Sequence, residues 1–415
     1  MRTSATSRLA VIRDVGFVSF GKYGQYAVAL VTLPFTARIL GPHGMGLLAV
    51  SMSAYFVGSL VTDMGITPYL AARVDKPGLP QLRGNYAAVR AAILTALAAL
   101  FLATGLTAFT HSVLPAHVPL LTLGLLAGGV SSAGDDWVLV GQNRFGTLVG
   151  IQSAGRLAYL VALFALLPLV RSPYTAMFCL LGSSLIPVLW SWLITIRDYG
   201  RPHRPHRQWR LLRLGAPILT ARMLENTYEQ AAATVFSPAL SPTSMGLFSA
   251  SDRPVQAAGS LLDGIGWSML PRMARFDDLR GAFRMVGIVA SIGAAAAAVM
   301  WMLAPWVVPV LFGQDFDGAI VIMRVEVWVL PGMAAASFIS TAILPVYQDT
   351  RGAIYGAGIG ATITFTAFAI ALQNHSAMTL VVAIVTAEST VALFYLGRVR
   401  YLQTRAEASQ ETVAA

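Results

Sequence analysis

The sequence alternates long apolar segments with short polar ones. A helix that crosses a bilayer needs roughly 20 mostly apolar residues, and twelve segments approach that length. The first, seventh and eighth are the least apolar of the set. The twelve segments are residues 16–40, 46–63, 88–110, 118–140, 147–170, 174–197, 212–236, 246–269, 284–311, 319–346, 352–372 and 376–397. The pattern predicts an all-α membrane protein with about twelve transmembrane helices.

The composition agrees with a membrane protein. Hydrophobic residues make up 56% of the chain and charged residues 12%, whereas soluble domains carry about 25% charged residues. The formal net charge of +10 would also suit a nucleic-acid partner. The basic residues, however, lie mainly in the connections between spans, where they indicate the orientation of the chain in the membrane. We therefore expect no nucleic-acid partner. The single cysteine, Cys179, excludes a disulfide framework.

The basic residues indicate the orientation of the chain. Cytoplasmic loops of membrane proteins are enriched in Lys and Arg. With the N-terminus in the cytoplasm, 22 of the 29 Lys and Arg residues fall in cytoplasmic segments and 2 in the outer connections. We therefore expect both termini to be cytoplasmic. The most basic segment, 197–213, is expected to be a solvated connector near anionic lipid headgroups.

An internal repeat relates the two halves of the chain. Residues 40–47 read LGPHGMGL and residues 240–247 read LSPTSMGL, an offset of 200 positions that also pairs Lys22 with Arg222. Each half holds six predicted spans, so the halves must be parallel repeats, two six-helix bundles related by a pseudo-two-fold axis along the membrane normal. The predicted parts are an N-terminal bundle, a basic cytoplasmic linker, a C-terminal bundle and a cytoplasmic tail, residues 1–197, 198–211, 212–397 and 398–415.

Polar and ionisable side chains lie inside several spans, where a charge at the helix centre costs about 2.5–3.5 kcal/mol and must face protein or water. Spacings of three, four and seven residues place four side chains of the seventh span on one helical face, namely Arg222, Glu225, Asn226 and Glu229. Lys22 and Gln25 share one face in the first span, and Arg156 lies near the middle of the fifth. Cations at such depth suit an anionic ligand in a cavity between the bundles. The predicted substrate-binding residues are Lys22, Gln25, Arg156, Arg222, Asn226 and Arg253.

Two interpretations of the acidic residues remain open. They could bind a coupling cation, a proton or Na⁺, and the candidates for this role are Glu225, Glu229 and Glu388. Alternatively, acids neutralise nearby cations: Glu225 could pair with Arg222, three residues away. We also expect Glu326 to pair with Arg324 near the outer end of the tenth span.

Lys22 and Arg156 have no acid three or four residues away, which favours contact with a ligand. Lys22 could instead extend to the cytoplasmic surface, and Arg156 could bond to backbone carbonyls. Asp135 and Asp136 lie near the cytoplasmic end of the fourth span, where a helix-capping role is equally open.

The outer connections leave little room for a catalytic centre. On the predicted topology the longest of them, 237–245, has nine residues. A membrane enzyme that acts on sugars at the outer face generally needs a larger extramembrane domain to hold its catalytic groups. We therefore expect a protein that is not an enzyme, with no catalytic residue, metal site or cofactor.

Four groups of residues carry a family resemblance. They are LPFTARILGPHGMGLLAV (33–50), DWVLVGQNRF (136–145), MGLFSASDRPVQ (245–256) with MLPRMARF (269–276), and APWVVPVLFGQDFDGA (304–319). In these stretches the chain resembles the Wzx-type oligosaccharide flippases, the polysaccharide transporter branch of the multidrug/oligosaccharidyl-lipid/polysaccharide exporter superfamily. Family members often read close to DWLFQG, and this chain keeps Asp136, Trp137 and Gly141 but departs at Leu139 and Val140.

The resemblance implies a flippase of the bacterial inner membrane. Such a protein moves undecaprenyl-pyrophosphate-linked oligosaccharides to the outer leaflet by alternating access, for surface or exopolysaccharide biosynthesis. Arg and Lys in its cavity would hold the pyrophosphate and acidic sugars. The implied partners are the lipid-linked oligosaccharide, a coupling cation, membrane lipids and other polysaccharide-assembly proteins. The alternatives are a multidrug exporter of the same superfamily, for which we expect an acid-dominated cavity, a membrane glycan-processing enzyme and a scaffold.

Overall fold

The computed structural model describes residues 3–75, 78–111, 115, 117–206, 208–229, 236, 238–273, 279–344 and 349–414. These residues form helices and turns, and none of them forms a β-strand. The α-helices are α1 (Thr3–Asp63), α2 (Thr67–Ala71), α3 (Leu79–His111), α4 (His117–Ser131), α5 (Asp136–Gly141), α6 (Phe145–Leu166), α7 (Pro173–Tyr199), α8 (Gln208–Glu229), α9 (Pro242–Met273), α10 (Leu279–Phe312), α11 (Gly318–Glu326), α12 (Val329–Phe338), α13 (Thr350–Asn374) and α14 (Ala377–Ala414). A 3₁₀ helix, Gln314–Phe316, precedes α11, and a π-helical turn, Ile339–Ile343, follows α12.

A single glycine divides α1 into two helices. Gly41 has φ 64° and ψ −179°, a conformation that glycine adopts readily because it lacks a Cβ atom. Pro42 follows, and proline is tolerated in the first turn of a helix, where its missing N–H would have no partner. The repeat-related Pro242 is the first residue of α9, directly after Ser241. The repeated sequence therefore marks the start of a new helix in both halves.

Each of the twelve predicted spans overlaps a helix, but the helices differ from the spans in number and in detail. Within the described residues, eight helices are long and apolar enough to cross a membrane, and His117–Ser131 and Leu211–Thr220 are shorter apolar helices. The fourth span is shorter than expected, because α4 ends at Ser131 and DWVLVG forms the separate helix α5. The tenth span is interrupted after Glu326. The predicted all-α membrane fold is confirmed.

The chain divides into two compact units, Met1–Met223 and Leu224–Ala415, called here the N-terminal and C-terminal units. The N-terminal unit holds α1 to α7 and most of α8, and the C-terminal unit holds the end of α8 and α9 to α14. The division falls inside α8, after the linker expected at 198–211. The bounds of the four predicted parts stay a prediction.

Small residues bring α1 and α4 into backbone contact in the N-terminal unit. A Cβ atom on Gly128 would overlap the carbonyl oxygen of Tyr55, and one on Gly124 would overlap that of Ser51. Ser51 Oγ also donates a hydrogen bond to the Leu120 carbonyl at 2.9 Å. Membrane helices depend on such close packing because burial against lipid-like surroundings offers little hydrophobic gain. The contact fixes the position of Tyr55.

Gly128→Ala should destabilise this helix pair. The added methyl group meets backbone atoms that cannot turn aside, so we expect a loss of roughly 1–3 kcal/mol. Thermal unfolding of the purified protein in detergent measures it. Gly150→Ala on α6 is the matched control, because no atom lies within 4 Å of its Cβ position. Equal melting temperatures for the two variants would contradict the backbone contact.

The C-terminal unit has its own apolar core. The helix α12 packs against α10 and α14, and the π-helical turn packs against α9 and α14; Phe338 and Ile339 are 1% and 0% exposed. Asp349 caps α13 by accepting a hydrogen bond from the Gly352 N–H at 3.2 Å. Arg398 of α14 donates two hydrogen bonds to the same carboxylate, at 2.7 and 3.0 Å. One carboxylate therefore joins the start of α13 to α14.

The Asp349 pair predicts an acid-sensitive contribution to stability. The Arg398 guanidinium holds the pKa of the Asp349 carboxyl below its ordinary value. A lowered folded-state pKa stabilises the fold at neutral pH, and this contribution disappears as the pH falls through that pKa, below about pH 4. Asp349→Asn should reduce the melting temperature at neutral pH and have no effect at the acid end of the range. Asp315→Asn, at an exposed position, is the control; a pH-independent difference between the two variants would contradict the pair.

Candidate functional site

A polar surface in the N-terminal unit surrounds Arg156. Arg156 lies in the middle of α6, which spans 22 residues, and it is half-buried. Its guanidinium is close enough to the phenol of Tyr55 for the two groups to interact electrostatically. The hydroxyls of Ser131 and Ser184 lie near the same phenol, and each donates a hydrogen bond within its own helix, to the Gly128 and Leu180 carbonyls. These residues come from α6, α1, α4 and α7, so four helices contribute to one polar surface at the level of a helix centre.

The chemistry of this surface suits an anionic, oxygen-rich ligand. A guanidinium stays charged at physiological pH and offers a planar set of donors that matches phosphate and carboxylate. Phenol and serine hydroxyls both donate and accept, as sugar hydroxyls require. Ser59 Oγ on α1 lies 2.6 Å from the Oγ of Ser132, the residue directly after α4. The polar surface therefore extends beyond the immediate neighbours of Arg156.

The other predicted residues of the N-terminal unit have different outcomes. Arg222 is exposed on α8, and its aliphatic stem lies beside Gly65, in the turn between α1 and α2. The side chains of Lys22, Gln25 and Glu225 lie outside the described residues, as does the suggested pairing of Arg222 with Glu225. Their contacts with a substrate stay predictions.

In the C-terminal unit, Arg253 and Glu388 are half-buried. Arg253 on α9 acts electrostatically on its neighbour Asp252. The Glu388 backbone on α14 packs against Gly332 on α12, so the two helices are in close contact at this point. The side chains of Asn226 and Glu229 lie outside the described residues. Among the residues that the structure does describe, no three His, Cys, Asp or Glu side chains group as a metal site.

The expected pair of Arg324 with Glu326 is wrong. Residues two apart on a helix point in different directions. Arg324 turns to Trp301: its Nε lies 3.4 Å from the Trp301 carbonyl oxygen and its guanidinium carbon 4.5 Å from the centre of the Trp301 ring. Glu326 turns the other way and accepts a hydrogen bond from Ser251 Oγ at 2.6 Å.

A buried ion pair in the N-terminal unit escaped the sequence analysis. Arg83 is 0% exposed, and its Nε donates to Asp135 Oδ2 at 2.6 Å. Its two terminal nitrogens donate to the Gly200 carbonyl and to Thr195 Oγ1, both at 2.9 Å. Arg83, Asp135, Thr195 and Gly200 are called here the Arg83 network. It ties the start of α3 to the start of α5 and the end of α7.

Asp135 connects the network to the DW motif, which begins at the next residue. Asp135 makes no capping hydrogen bond to α5; it accepts hydrogen bonds from Arg83 and from Trp137 Nε1, the latter at 3.0 Å. Trp137 is fully buried. The capping role left open for Asp135 is therefore wrong, and its carboxylate instead holds the buried Trp137 of the motif. Seven residues after Arg83, on the same face of α3, Arg90 donates to the Gly134 carbonyl at 2.6 Å.

The backbone of the basic linker is hydrogen-bonded to the start of α3. The His203 N–H donates to the Pro80 carbonyl at 3.0 Å, and Gln81 Nε2 donates to the Arg204 carbonyl at 2.7 Å. Gly84 permits this approach, because a Cβ atom there would overlap the His203 carbonyl oxygen. The side chains of His203 and Arg204 are exposed. The linker is thus solvated at its side chains, as expected, while its backbone is bound to the N-terminal unit.

Taken together, these features define a multi-pass, all-helical membrane protein, and solved transporters share its fold. The chain is similar to an inward-facing multidrug resistance MATE family transporter of the MOP superfamily, with a TM-score of 0.68 and 16% identity over 91% of this chain and 96% of that chain. It is also similar to lipid II flippase MurJ in an inward closed conformation, with a TM-score of 0.66 and 13% identity over 90% of this chain and 87% of that chain. Identities this low show the fold alone.

The sequence itself shows the family. Residues 11–277 match the family model described as polysaccharide biosynthesis protein. Because the match covers more than half of the sequence, the chain belongs to the polysaccharide biosynthesis protein family. No curated protein matches the chain in a sequence comparison. The matched range contains Arg156, the Arg83 network and both copies of the repeated stretch.

Proposed function

We propose that the protein is a flippase of the Wzx type, which moves a lipid-linked oligosaccharide across the bacterial inner membrane by alternating access. The observation that carries the proposal is Arg156. It places a half-buried guanidinium in the middle of a helix long enough to span a membrane, in a chain of the polysaccharide biosynthesis family. An apolar span does not retain such a charge without a use for it.

The substrate chemistry fits the surface around Arg156. An undecaprenyl-pyrophosphate-linked oligosaccharide carries a pyrophosphate between its lipid and its sugars, and this group loses much of its hydration on crossing the membrane. A guanidinium replaces that hydration with charge-assisted hydrogen bonds. Tyr55 and the serines beside it offer hydrogen bonds to sugar hydroxyls. The repeat adds further proposed contacts, from Lys22, Gln25, Arg222, Asn226 and Arg253.

Acids in the spans supply candidates for coupling to an ion gradient. Glu225, Glu229 and Glu388 are proposed to bind the coupling cation, each by virtue of a carboxylate within a predicted span. Replacing each by Gln in a vesicle flux assay tests the role. Transport that keeps its dependence on the proton or Na⁺ gradient in all three variants would exclude them.

The proposed orientation puts both termini in the cytoplasm, since 22 of the 29 Lys and Arg residues lie in the segments assigned to that side. Reporter fusions at Gly200 and Ala408 should report a cytoplasmic location, and a fusion at Ser241 should report an external one. A cytoplasmic signal at Ser241 would reverse the assignment.

Deletion of the gene tests the function directly. We expect the lipid-linked oligosaccharide to accumulate on the cytoplasmic side of the inner membrane, surface glycan to disappear, and both to be restored by the intact gene. Mass spectrometry of the accumulated lipid identifies the glycan. Unchanged surface glycan, together with increased sensitivity to cationic drugs, would favour the multidrug exporter. Accumulation on the outer side would indicate an enzyme or scaffold that acts after translocation.

A further inference from the structure

Two carboxyl groups approach each other in the C-terminal unit, the buried Glu326 and the half-buried Asp252. Glu326, at the end of α11, is 1% exposed. Its Oε2 accepts the hydrogen bond from Ser251 Oγ at 2.6 Å, while its Oε1 is buried and has no hydrogen-bond partner among the described residues. Asp252 follows Ser251 on α9, and its carboxyl is close enough to the Glu326 carboxyl for the two groups to interact. Gln256 Nε2, one turn further along α9, donates to Asp252 Oδ1 at 3.3 Å.

The charges around this pair do not neutralise it. Arg253 acts on Asp252 and can balance one negative charge, but two ionised carboxylates would leave a second. Arg324, on the same helix as Glu326, is directed to Trp301. The helix α14 packs against α11 and adds an acid to the unit, Glu388, and no cation within its predicted span.

A second buried group without a partner lies on the same face of α9. Ser249 is 3% exposed, and its Oγ has no hydrogen-bond partner among the described residues. It precedes Asp252 by three residues, a spacing that places both side chains on one helical face. Buried polar atoms without partners are rare in native proteins and need an explanation. One such atom belongs to the carboxyl pair and the other lies on the same helical face as Asp252, which points to a site that changes its occupancy.

A proton is the occupant that the geometry accommodates with the fewest changes. Two neighbouring carboxylates, one of them buried, disfavour simultaneous ionisation. A proton on either carboxyl supplies the donor that Glu326 Oε1 lacks and leaves one negative charge opposite Arg253. A Na⁺ ion would need several oxygen ligands converging on one point, and Ser251 Oγ is already engaged with two oxygens, the Phe248 carbonyl at 2.8 Å and Glu326 Oε2 at 2.6 Å.

We propose that Asp252 and Glu326 share one exchangeable proton, and that its uptake and release couple the transport step to the proton gradient. The first part concerns the carboxyl pair alone. The second part rests on the proposed transport function. The test therefore has one measurement that needs no substrate and one that does.

Infrared difference spectroscopy measures the first part. The full-length protein in liposomes should show the C=O stretch of a protonated carboxyl that disappears on a jump from acidic to basic buffer. Asp252→Asn and Glu326→Gln should each lose this band. Asp315→Asn, at an exposed position of the 3₁₀ helix before α11, should retain it. A band that persists in both pair variants would overturn the proposal.

A conservative variant separates loss of the site from misfolding. Ser251→Ala keeps both carboxyls and removes one hydrogen bond, so the band should remain at a shifted frequency. An unchanged frequency would show that the band belongs to another carboxyl. Titration with NaCl at constant pH tests whether the occupant is Na⁺. If Na⁺ abolishes the band, the occupant is Na⁺ and the proton assignment is wrong.

Glycan export in cells measures the second part, with the variants present at equal levels in the membrane. Asp252→Asn and Glu326→Gln should lose most of their export, and Asp315→Asn should lose none. Wild-type export in Glu326→Gln, combined with loss of its infrared band, would retain the proton site and exclude coupling. A protein that proves not to move glycans would still show the band, so the two failures are distinguishable.

Discussion

Arg83→Ala should lower the free energy of unfolding by about 3–5 kcal/mol, the usual result of removing one partner of a buried ion pair. The variant leaves the Asp135 carboxylate buried without its counter-ion, and it also leaves Thr195 Oγ1 and the Gly200 carbonyl without a donor. Both effects act in the folded state, because in the unfolded state all these groups meet water or lipid headgroups. Chemical or thermal unfolding of the purified protein in detergent gives the value.

A second ion pair in the same unit provides the control. Arg144 pairs with Asp198 at 2.5 Å, but the two side chains are 38% and 35% exposed. Exposed pairs contribute about 0–1 kcal/mol, so Arg144→Ala should have a small effect. Similar losses in the two alanine variants would show that burial of Arg83 is not what makes its pair important. The double variant Arg83→Met, Asp135→Leu should recover part of the loss, because it removes both buried charges together.

Arg156→Ala should abolish most glycan export while the protein still folds. If the guanidinium holds an anionic headgroup, its removal costs roughly 1.5–3 kcal/mol of binding, a ten- to hundredfold weaker interaction. Arg156→Lys keeps the charge but not the planar pair of donors, so we expect intermediate export. Surface glycan, normalised to the amount of protein in the membrane, is the measurement.

Two further variants make the interpretation specific. Tyr55→Phe keeps the aromatic ring and removes only its hydroxyl, so export should fall less than in Arg156→Ala. Arg201→Ala removes an exposed arginine of the linker and should leave export unchanged. Full export by Arg156→Ala at normal membrane levels would assign this guanidinium to structure instead of substrate binding.

The apolar pattern predicted the helices because a bilayer imposes a length and a polarity on every span. It failed where a span ends inside protein: DWVLVG is apolar enough to extend the fourth span, yet it forms the separate helix α5 around the buried Trp137. The repeat identified the helix starts at Pro42 and Pro242 because the constraint at those positions is local.

The polar sites were predictable only in part. Arg156 stood out because no acid lies within one turn of it in the sequence. Tyr55 did not, since a tyrosine in an apolar segment resembles any other core residue. Asp252 and Glu326 lie 74 positions apart, and Arg83 and Asp135 lie 52 apart. Contacts of this kind depend on how helices pack, and the local spacing that suggested Arg324 for Glu326 gave the wrong partner.

The Arg83 network imposes an order on biosynthesis. Its members are made in the order Arg83, Asp135, Thr195 and Gly200, so Arg83 can pair with Asp135 once α4 has been made but lacks its other two acceptors until α7 has been made. The guanidinium has its full set of partners only when Gly200 has been added. A nascent chain arrested before Thr195 would lack the hydrogen bonds from Arg83 to Thr195 and Gly200 that join α3 to the end of α7. We expect such a chain to be more sensitive to proteases than the complete protein. The Arg83 network of the N-terminal unit can therefore be completed only when synthesis has reached the basic linker that follows α7.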